Sequence, residues 1–214
     1  AFGRFPPDGR REFTDEAALL EACTIPVHAI PGEPANVKVT VLDDLRRVER
    51  ALGGGAVRVG IGLDSHPFGP GSPLALGGVR VEGAPRLHGH SDGDVALHAV
   101  ADALLGAAAL GDLGRLFPAD ARTPEGIDSR ELLAAVVDRL RANGLRPASV
   151  DLVLVGARPR LGMRLDEMRS VIGDLLGVEP VAVNVKASTG NLDGMEGAGR
   201  GWAAHAIATV EGTA

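Results

Sequence analysis

Cysteine occurs once in the 214 residues, at Cys23, and tyrosine not at all. A lone cysteine excludes a disulfide within the chain and fits a reducing compartment. Aromatic residues make up only 3%, so Ala, Gly, Leu and Val must fill the core. No stretch approaches the roughly 18 unbroken apolar residues of a membrane-spanning helix. The opening residues, "AFGRFPPDGRREF", hold no apolar leader. The expectation is a cytoplasmic protein without membrane attachment. Positive charge is not in excess either: 22 Lys and Arg stand against 28 Asp and Glu, for a formal net charge of −6. That argues against a general binder of nucleic acid or anionic membrane. An anionic substrate would need positive charge supplied locally, by a metal ion or a few arginines. The first residue is not methionine, so the natural start need not lie here.

What is present divides in two at "GGG", residues 53–55, a flexible joint. We expect a partial unit over 1–52, a linker over 53–56 and a full domain over 57–214. In the first, "FTDEAALLEA" reads as a helix capped by Thr14 or Asp15, and "LDDLRRVERAL" as another. "IPVHAI" and "NVKVTV" read as short strands. So short a segment buries little core of its own. In the second, "VRVGIGLD" is a strand and "PLALGGVRV" a hairpin turning on Gly77-Gly78. "SDGDVALHAVADALLGAAALG" is a long apolar helix capped by Ser91 or Asp92. "DSRELLAAVVDRLRANG" is a helix capped by Asp128 or Ser129 and closed by Gly144. "RLDEMRSVIGDLLG" is a third, ending at Gly177. "VDLVLVGA", "VNVKAS" and "GWAAHAIATV" read as strands, and "GNLDGMEGAGRG" as a loop. Strands interleaved with helices indicate an α/β fold: one layered domain whose mixed sheet packs against helices, with a partial α/β segment before it.

Chemistry concentrates in four of the six histidines, His66, His88, His90 and His98. Asp64 and His66, two apart at the end of a strand, point to one face. His98 lies on the long helix, with Asp94 and Asp102 one turn to either side. Asp64, His66 and His98 make a two-imidazole, one-carboxylate set suited to zinc, with a fourth position for water or substrate. Asp102 either orients a ligand from behind or is simply solvated. Each pattern alone is as well explained by a surface pair. Ser91 and the free N–H groups of the helix start offer a seat for phosphate oxygens, with His90 beside it as a donor to developing charge. The bland reading is an ordinary helix cap. His28 and His205 are read as structural, and His88 as a turn residue.

The segments "GLDSHPF", "HSDGDVALHAVADALLGAAALGDLGRLFP", "DSRELL" and "VNVKAS" resemble 2-C-methyl-D-erythritol 2,4-cyclodiphosphate synthases of the non-mevalonate isoprenoid pathway, over residues 57 to about 210. The resemblance implies zinc on Asp64, His66 and His98, and a second divalent ion, magnesium or manganese, bridging the phosphates. It implies that the 2-phosphate of 4-diphosphocytidyl-2-C-methyl-D-erythritol 2-phosphate attacks the β-phosphorus and expels CMP. His90 and Thr189 match residues that stabilise the transition state. Ser91 and Ser188 match phosphate contacts, and Asp112, Leu113 and Gly114 the loop around the methylerythritol hydroxyls. "GARPRLG", 156–162, matches the loop whose backbone reads cytosine, and Arg200 an arginine near a trimer axis. Members of the family are homotrimers with sites between subunits.

The chain departs from that family at Ser188-Thr189-Gly190-Asn191, where Asn191 replaces a glutamate that holds the second metal; Asp193 is the alternative ligand. Arg160 stands where lysine is common, and Trp202 where an acid often sits beside the axis. The stretch "FTDEAALLEACTIPVHAIPGEPANVKVTVLDDL" resembles the end of 2-C-methyl-D-erythritol 4-phosphate cytidylyltransferase, with Thr14 and Lys38 at contact positions. That family's Gly-rich nucleotide loop is absent, so residues 1–52 read as a remnant without cytidylyl transfer and Lys38 as a solvated lysine. The competing functions are a zinc phosphohydrolase and a non-catalytic ligand-binding or assembly subunit.

Overall fold

Glycine alternates with larger residues in "VGIGLDSHP", and that alternation positions everything that follows. The computed structural model describes residues 16–28, 30–33, 36–51 and 57–213. The chain forms two compact units, Ala1–Leu52 and Gly53–Ala214. The first holds helices α1, Glu16–Ala22, and α2, Leu42–Ala51. Asp44 ties down the start of α2 by accepting the Thr40 N–H, the Thr40 hydroxyl and the Val41 N–H. The strands expected at "IPVHAI" and "NVKVTV" do not form among the described residues. Ile25, Val27, Val37 and Val39 are all more than 40% exposed. A strand needs a ladder partner, and the described residues of this unit supply none. Thr14, Asp15 and the joint at 53–56 lie outside the described residues.

The second unit runs β1 (Arg58–Pro67), β2 (Leu74–Leu76), β3 (Val79–Val81), α3 (Val95–Ala108), α4 (Leu113–Leu116), α5 (Ser129–Ala142), β4 (Leu145–Val155), α6 (Leu165–Leu176), β5 (Val183–Ser188), α7 (Gly194–Gly197) and β6 (Gly201–Gly212). The main sheet has the order β1-β6-β4-β5, with β6 antiparallel to both neighbours and β4 parallel to β5. It is the expected mixed sheet packed on helices. The hairpin β2–β3 turns on Gly77 and Gly78, both at positive φ, as a two-residue turn requires. The stretch read as a loop at 190–201 contains the single-turn α7, capped by Asp193.

Helix α3 is buried almost all round, as its apolar sequence demands. It lies against β1 at backbone contact. A Cβ placed on Gly60 would stand 2.1 Å from the Ala103 carbonyl oxygen, and one on Gly62 2.0 Å from that of Ala99. Ala204, Ala206 and Ala208 of β6 are fully buried. Small residues on both sides thus replace the aromatics that the composition lacks. The other residues of β1, Val59, Ile61 and Leu63, remain more than half exposed.

The α3 cap differs from expectation. Asp94, not Ser91 or Asp92, is the N-cap, accepting the N–H groups of Ala96 and Leu97. Its carboxylate also takes Gly77 N–H at 2.8 Å and Gly78 N–H at 2.7 Å, fastening the hairpin to the helix. Asp94 is 1% exposed, so the anion seat expected at those helix N–H groups is already filled by the chain's own carboxylate. Replacing Asp94 by alanine removes a cap and strands buried donors, a loss of about 3 kcal/mol. A lower denaturant midpoint at unchanged slope is the expected measurement, and a loss under about 0.5 kcal/mol would contradict this account. In α5 the cap is Asp128, and Gly144 follows the last turn at positive φ.

Candidate metal centre

The geometry begins with the strand period. Asp64 and His66 leave β1 on the same face as Gly60 and Gly62, toward α3. The close approach of α3 then brings His98 to them. His66 Nε2 lies 3.0 Å and His98 Nδ1 2.9 Å from the same oxygen, Asp64 Oδ2. The second oxygen accepts the Ser65 N–H at 2.9 Å. The three donor atoms all lie within 4.8 Å of one another, and they are the only such cluster among the described residues. Burial pushes the Asp64 carboxyl up, but hydrogen bonds and charge from both imidazoles outweigh it and hold the group well below the usual carboxylate range. The hydrogen bond to Asp64 raises His66 above the ordinary histidine value, against its own burial.

This donor set fits a zinc-sized cation. Tetrahedral ligands at ~2.0–2.1 Å stand about 3.3 Å apart, close to the 3.0 and 2.9 Å that separate the two nitrogens from the Asp64 oxygen. The chemistry also fits: two borderline nitrogens and a carboxylate, with half-buried surroundings.

Behind His98 the arrangement is not the expected one. Asp102 accepts the Leu113 N–H at 2.7 Å and so pins the start of α4. Its carboxyl is raised by burial first, then by Asp112 and Asp64. His98 Nε2 instead meets Ser129 Oγ at 3.0 Å and Ser91 Oγ at 3.1 Å. Ser129 Oγ in turn bonds Asp92 Oδ1 at 2.5 Å. The sequence carried a trace of this. Two adjacent residues of capping type, Asp128 and Ser129, stand where α5 begins and one suffices, which leaves a hydroxyl free for other work.

A cavity of about 300 Å³ opens on the cluster, lined by Asp64, His66, His90, Ser91, His98, Leu113 and Gly114 among others. His90 Nε2 lies 2.8 Å from the Thr123 carbonyl oxygen, which can only accept, so this nitrogen carries the proton and the ring is held at the cavity wall. Asp112 caps α4 through the Arg115 N–H and pairs with the Arg115 guanidinium at 3.0 Å. The remaining expected residues lie elsewhere. Ser188 ends β5 and Thr189 follows it; both are exposed, as are Arg160 and Arg200. The register Ser65–Ala203–Val155–Ser188 puts them at the same end of the sheet as Asp64 and His66. Ser188 and Thr189 stand toward the opposite edge, however, for β5 lies three strand spacings, roughly 14 Å, from β1, whereas Arg200 sits beside β1, its carbonyl accepting the Phe68 N–H at 2.8 Å.

Trp202 is 1% exposed and donates its indole N–H to the Arg158 carbonyl at 2.9 Å, under the loop 156–162. The ring leaves no space for a side chain at Gly156. Arg158 is anchored to the Gly199 carbonyl at 2.8 Å. Asn191 takes a left-handed conformation, and Asp193 spends a carboxylate oxygen on the Gly194 N–H. His28 and His205 are exposed and outside the cluster.

Residues 57–211 match the YgbB family. A bifunctional enzyme IspD/IspF from Anaeromyxobacter dehalogenans is 48% identical over 197 residues, 92% of this chain and 50% of that protein. The chain therefore spans about half the length of that curated relative. The bifunctional IspDF of Campylobacter jejuni aligns with a TM-score of 0.71 at 31% identity, over 96% of this chain and 56% of its own. A 2C-methyl-D-erythritol-2,4-cyclodiphosphate synthase in a form bound to CDP aligns with a TM-score of 0.63 at 33% identity, over 72% of this chain and 100% of its own.

Proposed function

The chain belongs to the YgbB family, and from that premise we propose that its second unit is a 2-C-methyl-D-erythritol 2,4-cyclodiphosphate synthase, a lyase of the non-mevalonate pathway. The 2-phosphate of 4-diphosphocytidyl-2-C-methyl-D-erythritol 2-phosphate attacks the β-phosphorus; the new P–O bond closes the ring, the bond to the cytidylyl phosphate breaks, and CMP leaves. The observation that carries this reading is the meeting of Asp64, His66 and His98 around one oxygen at the wall of a cavity shared with His90 and Ser91.

Asp64, His66 and His98 are the zinc ligands in this reading. Bound there, zinc supplies Lewis acidity and positive charge toward diphosphate oxygens. Most of the remaining work is placement and charge. His90, held by Thr123, donates toward the charge that develops on the phosphates. Ser91 offers its hydroxyl at the same wall. Asp102 and Asp112 hold Leu113 and Gly114 where the methylerythritol hydroxyls lie. Asn191 or Asp193 would hold a magnesium or manganese ion, which would supply further positive charge to the phosphates. The loop 156–162 reads the cytosine over Trp202, and Arg160 faces the nucleotide charge.

The reading includes a homotrimer. Two features support it. Val59, Ile61, Leu63 and Ile207 leave one side of the sheet apolar and exposed. Ser188 and Thr189, at the far edge of the sheet, stand apart from the metal cluster in one subunit, so in this reading a neighbouring copy brings its own pair to it. The site thus lies between subunits. No helix among the described residues is long and apolar enough to cross a membrane, and the lone cysteine accords with a cytoplasmic setting. Residues 1–52 fit the closing segment of the IspD half of bifunctional relatives.

The test is CMP release from the proposed substrate with zinc and magnesium, together with identification of the second product. CMP with a cyclic diphosphate is expected. A linear phosphate product would indicate the phosphohydrolase, and no CMP at any metal concentration would leave only a binding function.

A further inference from the structure

A histidine ligates through a ring nitrogen that carries no proton, and the bond made by the other nitrogen decides which one that is. At His98 the partners can be worked out from donor and acceptor counts. Asp92 acts as an acceptor throughout: Oδ1 takes the Asp94 N–H at 3.1 Å and Oδ2 the Ser129 N–H at 3.3 Å. Its bond to Ser129 Oγ therefore consumes the single hydroxyl proton of Ser129. With that proton committed, Ser129 Oγ can only accept from His98, 3.0 Å away. The ring proton is then on Nε2, and the lone pair of Nδ1 points at Asp64 Oδ2, 2.9 Å away. Two acceptors do not stand at that distance unless a proton or a cation lies between them.

We propose that Ser129, its hydroxyl oriented by Asp92, is a positioning residue that holds the His98 ring in the tautomer and direction needed to bind the metal. The inference rests on the reading of His98 as a ligand. It departs from a capping role, because Asp128 already caps α5 through the Arg130 N–H. Ser91 Oγ stands 3.1 Å from the same nitrogen and also accepts the Gly93 N–H; with the proton on Nε2 it shares that N–H, without a carboxylate behind it. Ser129 and Asp92 lie 31 and 6 positions from His98, and α5 and the turn before α3 bring them there.

The experiment measures zinc affinity of the full chain by competition with a chromophoric chelator, and the unfolding midpoint of the metal-free protein beside it. Ser129→Ala is expected to weaken zinc ~10–100-fold while the metal-free midpoint moves little. Ser129→Thr, which keeps the hydroxyl, should recover most of the affinity. Asp92→Asn frees the Ser129 proton to point at Nε2 and should weaken zinc in the same direction by about fivefold. Zinc affinity of Ser129→Ala within about twofold of a zinc-binding wild type overturns the positioning role and leaves the metal site standing. If Ser129→Ala does not fold, an unchanged affinity in Asp92→Asn overturns it equally. A wild type that takes up no zinc overturns the ligand assignment, and this inference with it.

Discussion

His98→Ala is expected to empty the site of metal and to lower CMP release by about three orders of magnitude, since a Lewis-acidic ion supplies several kcal/mol of charge stabilisation. The fold should survive. Alanine is the best helix former, and α3 is held by its buried apolar residues, among which His98 is not counted. What is lost is local. Asp64 keeps His66 and the Ser65 N–H, whereas Ser129 and Ser91 lose the ring nitrogen between them. Two donors are a poor zinc site. Elemental analysis of the purified variant decides the point alongside circular dichroism. Equal zinc in variant and wild type would mean that His98 is not a ligand, however low the activity.

A single added methyl should do nearly as much damage from the strand side. Gly62→Ala would put Cβ 2.0 Å from the Ala99 carbonyl oxygen, 2.6 Å from the Ala103 nitrogen and 2.9 Å from the Ala99 carbonyl carbon. All three are backbone atoms of α3, so no rotamer change relieves the clash. Either β1 or α3 must move, and overpacking of this kind costs about 3 kcal/mol or more. For a unit of this size that lowers the melting temperature by ~6 °C or more. The same displacement draws His98 away from Asp64, so whatever folds should also bind zinc more weakly. Gly162→Ala is the control, because nothing lies within 4 Å of that position. A melting temperature for Gly62→Ala that matches the control would show that the helix is not seated on the glycines.

These two variants also separate what could be read from the chain and what could not. The strand end "GLDSHP" and the helix position of His98 were legible because their periods, two and 3.6, are local. Gly60 and Gly62 looked like strand glycines, and nothing local says that a helix backbone rests on them. Asp94 was read only as an acid one turn before His98. Its capture of the Gly77 and Gly78 N–H groups depends on a hairpin that precedes it by 16 and 17 positions. Asp102 shared a face with His98 as the helix period requires, yet it found a nearer donor at Leu113. The strands expected in the first unit failed for the converse reason: their alternation was genuine, but a ladder requires a neighbour that the described residues do not contain.

The amino-acid order alone determined the longer helices and strands of the second unit, though not the single-turn α4 and α7, and which side chains carry the imidazoles and the carboxylate, because both depend on residues a few positions apart. Only the tertiary structure decided that His98 leans on Ser129 and Asp92 instead of Asp102. It also placed Ser188 and Thr189 three strand spacings from the strand that carries Asp64 and His66. Those outcomes depend on how closely α3 sits on β1 and on the order in which the strands pair, and no short stretch of sequence encodes either.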